Sequence, residues 1–237
     1  MRLLVTRPEP DAARTASRLA ALGNEVLVQP LLVVSFNPPP AAMTTPAAIV
    51  VSSQNGVRAV AQWRQAITWR EIPVFAAGPA TARAMAALGF TDVHVGSGDS
   101  ETLVDVIKRD LMRGSGPVLY PAARDRAGAV AGGLTTLGYD VRVVEAYRAD
   151  PVDRFLPQVR NALTRGEIDG ILLYSGRTAR ALLDLAAAEG IADTLKRPEY
   201  FVISRHVAGI VGALGARVRI SDRPDEDSLL SLVPAAR

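Results

Sequence analysis

The chain reads as an α/β protein of two similar lobes, each a five-stranded parallel sheet with helices on both faces, joined by a two-strand connector. Three observations predict this. Short runs rich in β-branched residues and leucine alternate with Ala-rich stretches of helical period along all 237 residues, the pattern of parallel sheets covered by helices. The elements recur once in the same order. Two irregular breaks, Val33–Thr45 with Pro38-Pro39-Pro40 and Ala149–Asp153 around Pro151, divide the chain into parts of nearly equal length.

Leu3–Thr6 is an apolar run of strand length. Asp11–Leu22 follows with Ala12, Ala16, Leu19 and Ala20 on one face, a helical spacing, and Gly23-Asn24 stops it as a C-terminal glycine does. Glu25–Pro30 is the second expected strand. The cycle resumes with strand Ile49–Ser52, helix Gln54–Trp63, strand Val74–Ala77, helix Ala80–Leu88 ended by Gly89, strand Asp92–Val95 and helix Glu101–Met112. Strand Val118–Tyr120, helix Arg126–Leu137 ended by Gly138, and strand Val141–Tyr147 complete this part. Beyond Pro151 come helix Phe155–Thr164, strand Ile171–Leu173, helix Arg177–Ala188, strand Phe201–Ile203, helix His206–Leu214 ended by Gly215, strand Val218–Ile220 and a last helix near Ser228–Leu232.

Ten strands exceed one small sheet, and an internal repeat accounts for the number. The segment from Leu4 matches that from Leu119, pairing Arg7 with Arg124 and Gly23 with Gly138. The segment from Val51 matches that from Leu173, pairing Ser53 with Ser175. The segment from Val74 matches that from Tyr200, pairing Gly78 with Ser204 and Gly89 with Gly215, and Asp99–Leu103 matches Asp225–Leu229. If the chain crosses between lobes at both breaks, residues 1–33 and 152–237 form one discontinuous lobe and residues 34–151 an inserted one. The paired crossing strands would then act as a hinge. A simple tandem split near residue 117 is the alternative.

Composition excludes much chemistry. There is no cysteine, hence no disulfide, thiolate nucleophile or iron–sulfur cluster, and only two histidines occur, His94 and His206. The net charge of +3 is too small to argue for nucleic acid. No apolar run exceeds strand size, and the opening MRLLVTRPEP is too short for a signal-peptide core, so a cytoplasmic protein without membrane partners is expected. No heptad pattern appears, so a monomer is expected. Dinucleotide, P-loop, zinc-protease and nucleophile-elbow motifs are missing. The acidic run at Asp222 and Asp225–Asp227 reads as a helix N-terminal cluster. His94 and His206 read as surface or capping residues, and Trp63 and Trp69 as packing residues.

In open parallel sheets ligands bind at the carboxyl ends of the strands. There the chain places Arg7, Ser53-Gln54-Asn55, Gly78 with Thr81, Arg124, Ser175-Gly176-Arg177 and Ser204-Arg205. Hydroxyls and backbone N–H groups at helix N-termini make anion sites. Each such position alone is explained by N-capping, but their recurrence in both halves suggests one ligand with several negative groups. Tyr147, at the expected crossing, is either hinge packing or a ligand contact. A non-catalytic two-lobe binding protein for an acidic ligand and a sugar- or nucleotide-transforming enzyme both remain open at this point.

Several segments together resemble the uroporphyrinogen-III synthase family. They are Val5-Thr6-Arg7-Pro8, Leu22-Gly23, Pro30, Val51-Ser52-Ser53-Gln54-Asn55-Gly56-Val57, Gly78-Pro79-Ala80-Thr81-Ala82 and Val144-Glu145-Ala146-Tyr147. Ser204-Arg205-His206-Val207 departs from the Gly-x-x-Thr often found there. The resemblance implies two α/β lobes with the site in the cleft. It also implies cyclisation of the linear tetrapyrrole hydroxymethylbilane to uroporphyrinogen III, with loss of water, inversion of the terminal ring and no cofactor or metal. By the same resemblance Tyr147 is the expected general acid. The substrate-binding set would be Arg7, Ser53, Gln54, Asn55, Gly78, Thr81, Arg124, Ser175, Gly176, Arg177, Ser204 and Arg205.

Overall fold

The computed structural model describes residues 1–97, 100–123 and 128–234. Its elements begin with β1 (Arg2–Val5), α1 (Asp11–Ala21), β2 (Glu25–Val28) and β3 (Leu32–Phe36). Next are β4 (Ala48–Val51), α2 (Gln54–Ala61), β5 (Val74–Ala76), α3 (Pro79–Ala87), β6 (Val93–Val95) and α4 (Ser100–Asp110). These are followed by β7 (Val118–Ala123), α5 (Gly128–Thr136), β8 (Val141–Pro151), α6 (Pro157–Arg165), β9 (Gly170–Leu173) and α7 (Gly176–Ala188). The last are β10 (Glu199–Val202), α8 (Arg205–Val211), β11 (Val218–Ile220) and α9 (Glu226–Leu230).

The strands form a five-stranded sheet, β11-β10-β9-β1-β2, and a six-stranded sheet, β3-β8-β7-β4-β5-β6. The first belongs to a unit made of Met1–Val33 and Asp150–Arg237, and the second to a unit spanning Val34–Ala149. Every pairing in the first sheet is parallel, as are those linking β8, β7, β4, β5 and β6 in the second. Under the repeat, β1 and β2 correspond to β7 and β8, and β4–β6 correspond to β9–β11. The order β2-β1-β9-β10-β11 then maps strand for strand onto β8-β7-β4-β5-β6. The two halves of the sequence have thus exchanged their strand pairs. The pair β1–β2 from the first half completes the sheet of the second, and β7–β8 does the reverse.

Two expectations need correction. The break at Val33–Thr45 contains a strand, β3, so the described residues hold eleven strands rather than ten. The strand expected to end at Tyr147 continues to Pro151. Both differences have one cause. β3 and β8 run in opposite directions side by side, with Asn37 N–H donating to Ala146 C=O at 2.9 Å and Val152 N–H to Leu31 C=O at 3.1 Å. Each strand is held by a partner more than a hundred residues away, which local hydrophobic pattern does not reveal.

The central strands β4, β5 and β7 of the six-stranded sheet are buried on both faces. Ile49 and Val51 of β4 pack with Val57, Val60, Trp63 and Met85 on one side. Ala48 and Val50 pack with Leu103, Ile107, Val130 and Leu134 on the other. This alternation follows from the period of two along a strand, and it explains why the strands read as continuous apolar runs. Trp63 and Trp69 are both buried in this unit. Helix ends fall at the expected glycines: the repeat-matched Gly89 and Gly215 have φ of 92° and 69°, a left-handed region closed to most side chains. The last helix starts earlier than expected because Asp225 caps it, accepting from Ser228 N–H at 2.8 Å.

Gly170 in β9 sits where a Cβ would lie 2.7 Å from Phe201 Cε2 and 2.9 Å from Leu3 Cδ2, and both neighbours are fully buried. Gly170→Ala is expected to destabilise the protein by about 1–3 kcal/mol through overpacking, read from the midpoint of denaturant unfolding. An unchanged midpoint would contradict this account of the β1–β9–β10 contact.

Candidate functional site

An open parallel sheet offers a ligand site where its strand order reverses, because helices leave neighbouring strands in opposite directions there. The reversal lies between β1 and β9 in the five-stranded sheet and between β7 and β4 in the six-stranded one. Tyr174 and Ser175 follow β9, and Ser52 and Ser53 follow β4. The serines matched by the repeat, Ser53 and Ser175, therefore stand at equivalent points of the two sheets.

In the six-stranded unit Ser53 caps α2, its Oγ accepting from Gly56 N–H at 3.2 Å. The same Oγ lies 2.7 Å from the Tyr147 hydroxyl. Gly56 is fixed by close approach: a Cβ there would stand 3.1 Å from the Pro121 carbonyl oxygen of β7. Tyr147 lies within β8 rather than at its end, and a bulge explains its aim. Ala122 of β7 faces Glu145, but Ala123 faces Tyr147, so Ala146 is the extra residue. A bulge re-aims the side chains beyond it, and Ala146 and Tyr147 both join the cluster that includes Val57 and Val60. Tyr147 is left only 6% exposed, with its ring tilted against Phe36 at a centroid distance of 6.5 Å. Gln54 and Asn55 are half-buried in the first turn of α2, where Asn55 Oδ1 accepts from Arg58 at 2.7 Å. Gly78 precedes α3 without a side-chain cap, and Pro79 takes the first helical position. Thr81 is only 7% exposed. Its backbone N–H, in the first turn of α3, has no acceptor within the helix. Arg124 lies outside the described residues.

In the five-stranded unit Ser175 caps α7, accepting from Thr178 N–H at 3.1 Å, and its Oγ also lies 2.8 Å from Thr178 Oγ1. Ser204 caps α8, accepting from Val207 N–H at 3.4 Å. The exposed His206 reaches the start of α7, where a Cβ on Gly176 would meet its Nε2 at 2.8 Å. Arg205 is exposed and Arg177 half-buried.

Arg7 is held in an ion-pair network within its own unit. Its guanidinium bridges Glu226 at 3.0 Å and Asp11 at 3.3 Å and lies over the Tyr174 ring at 4.3 Å. Glu226 also takes the Thr15 hydroxyl and pairs with Arg14 and Arg18. Arg7 is thus occupied in tying α9 and α1 to the end of β1. Burial, seconded by the charge of Glu226, pushes the Tyr174 phenol up to about 12, while Thr15 and Arg7 pull the other way.

His94 lies in β6, between Asp110 at 2.9 Å and Asp92 at 3.0 Å, with its ring stacked on Phe75 at 4.7 Å. Sequence reasoning singled out both serines and Tyr147 but not the Ser53–Tyr147 bond. It placed Thr178 in the polar segment after β9 but not its contact with Ser175, and it missed the Arg7–Tyr174 stack and the approach of His206 to Gly176. The spacing Ser-x-x-Thr at residues 175–178 was a usable signal for Thr178. Nothing local signalled the others, because their partners come from distant strands.

The family model described as uroporphyrinogen-III synthase HemD matches residues 13–231. Among solved structures, uroporphyrinogen-III synthetase from Helicobacter pylori is similar, with a TM-score of 0.67, 17% identity and 98% of each chain covered. A mutant uroporphyrinogen III synthase from Thermus thermophilus is similar with a TM-score of 0.63 and 20% identity, covering 98% of this chain and 96% of that one. At these identities the two structures establish the shared fold. A search of curated sequences returned no significant match.

The Tyr174 environment has a measurable consequence. Its phenol holds its proton to about 12 in the folded protein and to about 10 in the unfolded chain. A pKa raised on folding contributes stability that is whole below about pH 10 and is lost as pH rises toward the folded value. Tyr174→Phe is expected to flatten the alkaline fall of the denaturant midpoint over that window. An identical fall in wild type and variant would contradict it.

Proposed function

Because the chain belongs to the uroporphyrinogen-III synthase family, we propose that it is a carbon–oxygen lyase that converts hydroxymethylbilane to uroporphyrinogen III with loss of water and inversion of the terminal ring. The observation that carries this reading beyond family membership is the equivalent placement of Ser53 and Ser175. Each caps a helix at the strand-order reversal of its own sheet, and a substrate rimmed with acetate and propionate groups needs several anion sites.

The chemistry asks little of the protein in covalent terms. Departure of the hydroxyl from a hydroxymethylpyrrole leaves a cation delocalised over the pyrrole. The demanding step is to fold a flexible chain so that closure occurs with inversion, which is catalysis by orientation. Free N–H groups in the first turns of α2, α3 and α7 suit carboxylates, with Ser53, Gln54, Asn55, Gly78, Ser175, Gly176, Arg177, Ser204 and Arg205 beside them. Thr81 contributes its backbone. Arg124, the repeat partner of Arg7, is proposed as a further source of charge. The proton for the departing hydroxyl comes from Tyr147, whose hydroxyl is bonded to Ser53. Among the described residues no three His, Asp or Glu side chains converge as metal ligands do, and no helix is long and apolar enough to cross a membrane. A monomer working in the cytoplasm without cofactor fits this reading.

The test supplies freshly prepared hydroxymethylbilane and resolves the uroporphyrin isomers after oxidation. Isomer III formed in proportion to protein is expected. Isomer I alone, at the rate seen without protein, would overturn the reading and favour a binding protein.

Replacing one carboxylate-holding hydroxyl at a time separates distributed from concentrated binding. Ser204→Ala is expected to raise KM about threefold to tenfold, the worth of roughly 1 kcal/mol of hydrogen bonding, with little change in kcat. A loss of kcat without change in KM would move Ser204 out of the binding set.

A further inference from the structure

The geometry points to Ser53, not Tyr147, as the hydroxyl that touches the departing group, with Tyr147 acting through it. This rests on the cyclase reading above and refines which atom delivers the proton.

The assignment follows from counting donors and lone pairs. A serine hydroxyl has one proton and two lone pairs. Gly56 N–H donates to Ser53 Oγ at 3.2 Å. The Tyr147 hydroxyl lies 2.7 Å from the same oxygen, and among the described residues Ser53 is its one hydrogen-bond partner. Tyr147 is 6% exposed, within a cluster of Val51, Val57, Val60 and Leu119. A phenol proton there without an acceptor would be costly, so Tyr147 donates to Ser53. Both lone pairs of Ser53 Oγ are then filled, and its own proton can only be given away. Ser53 is the more exposed member of the pair, so that proton is the one offered to a ligand at the start of α2.

The step balances. The carbon–oxygen bond of the hydroxymethyl group breaks with its electron pair leaving on oxygen. That oxygen takes the Ser53 proton and departs as water, and Ser53 Oγ takes the Tyr147 proton. Closure of the ring then releases a proton from the pyrrole carbon that was attacked, and this returns along Ser53 to the Tyr147 oxygen. Tyr147 is in this sense a positioning residue and proton reservoir, since it also fixes the Ser53 rotor.

The test is a double-mutant cycle on kcat for isomer III formation, with stability followed in parallel. Ser53→Gly removes the hydroxyl but keeps an acceptable helix cap, and it is expected to lower kcat about a hundredfold, the lower range for a positioned proton donor. Ser53→Thr keeps the hydroxyl and is expected to stay within about tenfold of wild type. Tyr147→Phe is expected to lower kcat about tenfold with KM unchanged, and to add nothing further in the Ser53→Gly background, since it acts through the missing hydroxyl. Activity would thus follow the hydroxyl at position 53 while stability follows cap quality, with Ser53→Ala the least stable. If Tyr147→Phe costs the same factor in both backgrounds, Tyr147 meets the substrate itself and the assignment fails. It fails equally if Ser53→Gly keeps full kcat, or if Ser53→Ala is far less active than Ser53→Gly, which would make position 53 structural. Wild-type protein yielding only isomer I removes the underlying reaction instead, so the two failures are told apart.

Discussion

The first unit depends on the pairing of β1 with β9. These strands are far apart in the sequence, with 167 positions between Arg2 and Asp169, yet Leu3–Val5 run in register with Gly170–Leu172. The pairing is reinforced on each side. Arg2 N–H donates to Asp169 Oδ2 at 2.7 Å, and the buried Thr6 hydroxyl donates to the Leu172 carbonyl at 2.7 Å. Gly170 lets Phe201 and Leu3 close over the sheet. Without this contact β1 and β2 have no sheet to join, and the strand-order reversal that places Ser175 does not exist. The β4–β7 pairing does the same for Ser53. Closing such long loops is entropically expensive, and broad two-sided burial of the strands offsets that cost.

How much of this was legible in sequence follows from the range of each interaction. Strands buried on both faces and glycine-ended helices write themselves locally, so the alternating pattern and the helix ends at Gly89 and Gly215 were readable. The repeat was readable because both copies kept serine at the cap, as at Ser53 and Ser175. β3 was readable only as half of the expected two-strand connector, not from its own pattern. Its five residues include Ser35, its Val33 is exposed, and its identity comes from β8 across the sheet. The bulge at Ala146 was invisible for a related reason, since a bulge is a property of two strands. It decides where Tyr147 points, so sequence could name the tyrosine but not its partner.

Arg7 shows the opposite failure, a residue whose type was informative and whose use was not. An Arg after a strand, matched to Arg124 in the repeat, suits a carboxylate ligand. The acidic run that suggested only a helix cap supplies that carboxylate from within the chain, as Glu226. At 15% side-chain exposure the Arg7–Glu226 pair is screened far less than a surface pair, and Asp11 and Tyr174 complete its surroundings. The Arg7 guanidinium is thus engaged within its own unit, and the argument for anion sites rests on backbone groups.

The two units are alike in strand order but not in chemistry. Aligning Gly23 with Gly138 and passing over the extra residue Ala146 sets Leu31 opposite Tyr147. The five-stranded unit therefore has a buried aliphatic side chain where the six-stranded unit has a phenol. Its matching serine is also differently engaged, because the Ser175 hydroxyl lies beside that of Thr178 rather than a tyrosine. Moreover β1 and β2 pair in regular register from Arg2–Glu25 to Val5–Val28, with no counterpart to the bulge found between β7 and β8. A duplicated sheet places a serine-capped helix terminus at the strand-order reversal of each unit. One extra residue at Ala146, together with a tyrosine in place of leucine, gives only one of these serines a phenol partner. Under the proposed function both caps hold carboxylates while proton delivery belongs to the six-stranded unit alone, an asymmetry suited to a reaction that must treat one end of a nearly repetitive substrate differently from the rest.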